Sequence, residues 1–248
     1  MVLLTLIYAF TGLFGRDPWK NEDAEGFGVM WTLAHGNWID WVLPHLSGRD
    51  DLAGPPLPYW FGALMIKLFG GFIGPANSAR IIVAICFIAT AAAIWYATYL
   101  LGRRTEVQPM QFAFGGQPTH KEYGKTLADG ALLIFLACLG LAIRAHETTP
   151  MMFELLGLSF LLYGSVRSLD KPWQGGILSG IGLSIISLSG MLWATVFLGI
   201  GTLIALAITK TKIQKQWVLG TLIVLIPGLA IWPLIFHFSN LSPEVLKN

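Results

Sequence analysis

Three carboxylates stand within four residues at Glu22, Asp23 and Glu25, in the run Asn21-Glu22-Asp23-Ala24-Glu25. Such groups can take a proton from a hydroxyl as general bases. At the first turn of a helix they also answer the helix dipole, which favours negative charge there. A second acidic site stands at Glu147, with Glu154 seven residues on. Seven residues make two helical turns, so these two can share a face, with Pro150 between them. The cations best placed to meet an anionic lipid headgroup are Arg80 and Arg144, because a guanidinium clasps phosphate through two parallel hydrogen bonds. His35, His45 and His146 are scattered, and no HExxH or similar metal-ligand spacing occurs. A P-loop, GxSxG and a strand-borne GxGxxG are all missing, which counts against nucleotide hydrolysis and dinucleotide chemistry.

The elements that must position these groups belong to a membrane. Apolar residues make up 54% of the 248-residue chain and charged residues only 12%, with mean hydropathy +0.63; soluble proteins carry about 25% charge. Long apolar blocks without two-residue alternation predict helices rather than barrel strands, so the expected fold class is all-α, a polytopic helical bundle of about seven spans. Cys86 and Cys138 fall inside apolar blocks and read as small buried hydrophobes. The polar exception runs from Arg16 to Trp60 and holds seven of the fourteen acidic residues. Within it, Phe27, Met30, Trp31 and Leu33 predict a short amphipathic helix behind the acidic run.

Met1 to Phe14 is apolar but would reach only about 21 Å as a helix, against a hydrocarbon core of about 30 Å. Phe61 to Phe72 is shorter still and carries Lys67, so it reads as a helix lying at the interface. Ile81 to Leu101 is a full span closed by aromatic residues and Arg103-Arg104. Leu127 to Ile143 and Met151 to Val166 follow. Gly175 to Ile208 reads as a hairpin turning near Ser187 to Gly190, and Trp217 to Phe238 as a last span bent at Pro227 and Pro233. The loops Gly102–Thr126, Arg167–Trp173 and Thr209–Gln216 then share one side and hold nine of the sixteen basic residues. By the positive-inside rule that side is the cytoplasm, which puts 16–60 outside together with the turn from Arg144 to Pro150.

The order of the motifs resembles a known family. An acidic motif in the first outside loop is followed by Gly36-Asn37-Trp38, then Pro55-Pro56-Leu57-Pro58-Tyr59-Trp60, then Ser78-Ala79-Arg80 opening a span that ends in Gly102-Arg103-Arg104. This resembles the family of the lipid A aminoarabinose transferase and the protein O-mannosyltransferases, membrane glycosyltransferases of the GT-C class. The resemblance covers residues 1 to about 210. It implies transfer of a sugar from a polyprenyl-phosphate carrier to a lipid or protein acceptor on the outer face of a bacterial inner membrane, with inversion at the anomeric carbon.

Carried onto this chain, the resemblance makes 16–60 a catalytic loop with Asp23 and Glu22 as catalytic acids. It assigns Arg80, Glu147, Arg49, Arg144, Tyr59 and Trp60 to substrate binding. Asn21 falls where the family has its Asp, and a slip of one or two residues brings Glu22-Asp23 into register. Gly54 falls where the family has a Lys, which leaves its phosphate contact to Arg49 or Arg80. Family members carry further spans and often an outside domain, so the whole chain reads as a single, incomplete transmembrane domain. No cofactor is specified by the resemblance, and a divalent cation stays open. No nucleic-acid partner is indicated. A transporter using Arg144, Glu147 and Glu154 as pathway charges, or an inactive scaffold, are the competing readings.

Overall fold

The computed structural model describes residues 1–19, 21–47, 54–110, 115–209 and 212–238. These are helical, without strands: α1 (Val2–Phe10), α2 (Asn21–His35), α3 (Trp38–Val42), α4 (Leu57–Ile73), α5 (Pro75–Gly102), α6 (His120–Leu136), α7 (Leu139–Arg144), α8 (Met151–Ser168), α9 (Pro172–Leu188), α10 (Leu192–Thr209) and α11 (Lys212–Phe238). A single 3-10 turn, Thr105–Val107, follows α5.

Small residues mark the closest helix contacts, and many large apolar side chains are left exposed. Where α8 and α9 meet, a Cβ on Gly175 would fall 2.4 Å from Ser168 N, and one on Gly182 would fall 2.5 Å from Gly157 O. On the other side of α9, a Cβ on Gly176 would fall 2.4 Å from Trp217 O of α11. These helices touch backbone to backbone, as helices do where lipid removes the hydrophobic drive and close approach supplies the attraction. Large side chains point outward instead, with Phe72 87%, Ile134 72% and Phe197 70% exposed. An exposed apolar surface of this extent is the informative signal, since single exposed apolar residues are ordinary.

Among the described residues two helices are long and apolar enough to cross a membrane alone: the 28-residue α5, with mean hydropathy 2.2 over an 18-residue window, and 24 residues of α11, Lys212–Ile235, with 2.3 over such a window. Expectation and structure differ at several boundaries. α1 is nine residues and stops before Gly12 and Gly15, whose positive φ angles (77° and 80°) end it ahead of Phe14. The expected interfacial helix starts four residues early, at Leu57, so Tyr59 and Trp60 are helical rather than loop residues. α6 starts at His120 because Thr119 and Glu122 form a capping box. The expected single span from Leu127 to Ile143 is broken, ending at Leu136 and resuming at Leu139. Cys138 takes extended backbone at the break (ψ 109°). The hairpin expected near Ser187 to Gly190 is found, with Gly190 (φ 123°) in its turn.

The contacts sort the polar segments to two poles. At one, Asp170 before α9 accepts from Arg103 (2.9 Å) and Arg104 (3.4 Å) after α5. The start of α11 joins α9 near the same end, with Trp217 Nε1 3.0 Å from Ser179 Oγ. At the other pole, Trp232 Nε1, late in α11, donates to Val42 O of α3 (2.9 Å). α2 lies across this second pole. Its Val29, Met30 and Leu33 are buried against Tyr59, Ala63 and Ile66 of α4 and Ala79 of α5, while Trp31 stays 41% exposed.

Candidate functional site

The second pole is built around Asp23. In the first turn of α2, its carboxylate is 1% exposed, and it faces the guanidinium of Arg80, 0% exposed and in the second turn of α5. Arg80 Nη2 donates to Asp23 Oδ2 at 3.1 Å. Asp23 Oδ1 accepts from Thr148 N (2.7 Å), and Thr148 Oγ1 lies within reach of both that oxygen (2.7 Å) and Asp23 O (2.9 Å). Three segments far apart in sequence therefore meet at one carboxylate. Gly26 makes the meeting possible, because a Cβ there would stand 2.0 Å from Thr148 O.

A second tier runs from this knot toward α1. Arg80 Nη1 donates to Arg16 O, Arg16 Nη2 donates to His146 O at 2.9 Å, and His146 Nε2 lies 3.2 Å from Tyr8 O. Tyr8 stacks on Phe87 of α5, with centroids 5.2 Å apart. The loop before α2, the turn before α8 and the first helix are thus held in one register.

Beside the knot is an open cluster. Arg144, at the end of α7, donates to Glu22 Oε2 and to Glu147 Oε2, the latter at 3.2 Å. The side-chain exposures are 37% for Arg144, 66% for Glu22 and 3% for Glu147. The hydrogen bond and charge of Glu22, with the charge of Glu147, hold the Arg144 guanidinium proton more tightly than usual. Nearby, burial and then the Glu25 charge push the Tyr59 phenol up to about 12. Trp60 Nε1 donates to Trp41 O (2.6 Å) and ties α4 to α3.

Asp23, Glu22, Arg80, Arg144 and Glu147 are brought together at this pole, with Tyr59 buried at its α4 wall. Arg49 lies outside the described residues. Glu147 and Glu154 do not share a helix: Glu147 sits in the turn ahead of α8, while Glu154 is in its first turn facing Gly190. Thr148, Gly26 and Arg16 escaped the sequence reading. The pairing of a glycine just past the acidic run with a threonine beside Glu147 was the available trace of the first two. Among the described residues no group of three or more His, Cys, Asp or Glu could hold a metal.

Chemically, the pole offers a sealed ion pair that fixes geometry and an open acid–arginine cluster that can meet a ligand. Comparison with known proteins gives no match: no family model fits the chain, and no curated protein or solved structure matches it.

Proposed function

We propose that the chain is a membrane glycosyltransferase of the GT-C class, moving a sugar from a polyprenyl-phosphate carrier to a lipid or protein acceptor. One observation supports this above the others: Asp23, Arg80 and Thr148 pin together the acidic first loop, the start of α5 and the second acidic segment. These are the segments that the resemblance assigns to a single site.

The division between sealed and open groups suggests the roles. Glu22 is open and serves as the base, taking a proton from the acceptor hydroxyl as its oxygen attacks the anomeric carbon. The bond from that carbon to the phosphate oxygen breaks, and the phosphate leaves with the electron pair. Arg144, the exposed cation beside Glu22, steadies the departing charge. Asp23 and Arg80 are sealed, and act by positioning Glu22 and the α5 end. Tyr59 and Trp60 line the α4 side.

In the membrane reading, α1, α5, α6 with α7, α8, α9, α10 and α11 make seven crossings and α4 lies along the surface. The contacts at the two poles agree with that alternation. The basic loops at the first pole face the cytoplasm and the site faces outward across a bacterial inner membrane.

The test incubates membranes containing the full chain with radiolabelled polyprenyl-phosphate sugars and follows label into lipid and protein fractions. Transfer above that of membranes lacking the chain is expected. Equal background across the sugars tried would remove the assignment.

A further inference from the structure

Toward the other end of α2 from its acidic residues, a cleft of about 260 Å³ opens between α2 and α4. Trp31 and His35 wall it on α2; Lys67, Gly70 and Gly71 wall it on α4, and Pro75 closes it at the start of α5. The His35 ring stacks on Trp31 with centroids 3.8 Å apart, which presents a flat wall. Lys67 is the only charged residue of α4, and its ammonium stands over the Trp41 ring at 5.1 Å. A cation held against an aromatic face keeps its N–H donors available to an anion. Gly71 leaves the floor open, with nothing within 4 Å of the Cβ it lacks.

Charge and shape point to one class of occupant. Among the described residues no carboxylate lines the cleft. The acids of α2, Glu22, Asp23 and Glu25, stand at the helix's other end, ten to thirteen residues or about 15–20 Å from His35. The α3 carboxylate, Asp40, is engaged by the Asn37 N–H (2.6 Å) and faces His45 (3.8 Å). Along the rim, Leu64, Leu68 and Phe72 of α4 are exposed in a stripe beside Lys67. A ligand seated here would place an anionic group at Lys67 and an apolar chain along that stripe.

We infer that the cleft between α2 and α4 holds the headgroup of an anionic phospholipid, its phosphate on Lys67 and its acyl chains along Leu64, Leu68 and Phe72. This rests on the reading of α4 as a membrane-surface helix, and is independent of sugar transfer. The seat gives the surface helix a fixed depth and fastens α2 at the end away from its acidic residues.

Native mass spectrometry of the full chain in detergent, with equimolar dimyristoyl phosphatidylglycerol and dimyristoyl phosphatidylcholine, tests it. Retention of the anionic lipid should exceed that of the neutral one about fivefold, the effect of a single cation near the headgroup. Lys67→Gln should bring the two to parity and Lys67→Arg should keep the preference. Gly71→Leu, whose Cβ meets nothing within 4 Å, should abolish it while Lys67 remains. Inorganic phosphate alone should leave no adduct. Equal retention of the two lipids, a preference that survives Lys67→Gln or Gly71→Leu, or a phosphate adduct that Lys67→Gln removes would each overturn the lipid site while leaving the membrane reading intact. Retention of neither lipid would overturn both.

Discussion

Two neighbouring acids meet different surroundings at the second pole. Asp23 is saturated by Arg80 and Thr148 in a buried pair, whereas Glu22, one residue earlier, projects into the open beside Arg144. Removing one member of a buried ion pair leaves the other uncompensated, at a cost of about 3–5 kcal/mol. Asp23→Ala should therefore lower the unfolding stability of the solubilised chain by about that amount. Thr148→Val, which keeps the backbone N–H and deletes only the hydroxyl, should cost about 1–3 kcal/mol, and Thr148→Ser should cost far less. Denaturant titration monitored by tryptophan fluorescence checks all three, and a neutral Asp23→Ala would contradict the structural role. The acidic run singled out Asp23 and Glu22 as candidates. Which of them is sealed was not, because burial of Asp23 depends on Thr148 arriving from 125 residues away.

At the scale of elements, local signals were read where they are strong. The α9–α10 hairpin and the amphipathic helix behind Asn21 follow from hydrophobic pattern and glycine placement alone. The break between α6 and α7 was not legible, since no proline or glycine stands at Ala137-Cys138. The early start of α6 was written in Thr119-His120-Lys121-Glu122, a capping box that the apolar pattern further on obscured. Hydrogen bonds from Thr119 N and Thr119 Oγ1, both 2.8 Å, lower the Glu122 pKa below its ordinary value. A carboxyl whose folded pKa is depressed contributes stability above its unfolded pKa and loses it as pH falls through the folded one. Amides at the start of α6 should thus lose protection on acidification in the native chain. Glu122→Gln should show no such step when hydrogen exchange of the two proteins is compared at each pH. Identical acid profiles would contradict the cap.

For the whole molecule, the extent of exposed apolar surface and the two polar poles carry the membrane reading. Hydropathy identifies α5 and α11 as span-length by themselves, while α8, α9 and α10, of 17 or 18 residues, would cross only as members of the bundle. The glycine contacts between α8, α9 and α11 supply that context, and they are long-range facts that no single window of sequence contains. Trp19, 71% exposed before α2, and Lys171, exposed before α9, belong to opposite poles. In a variant lacking Cys86 and Cys138, an impermeant maleimide applied to intact cells should label Trp19→Cys and spare Lys171→Cys. Labelling of both from outside would contradict the seven-crossing topology.

The most direct test of the transferase reading compares Glu22→Gln with the native chain in the labelled-sugar assay. Loss of the open base should lower the transfer rate by about 10²–10⁴-fold while thermal stability and lipid insertion stay native, because Glu22 lies outside the sealed knot. Transfer at the native rate by Glu22→Gln would contradict the role given to that carboxylate.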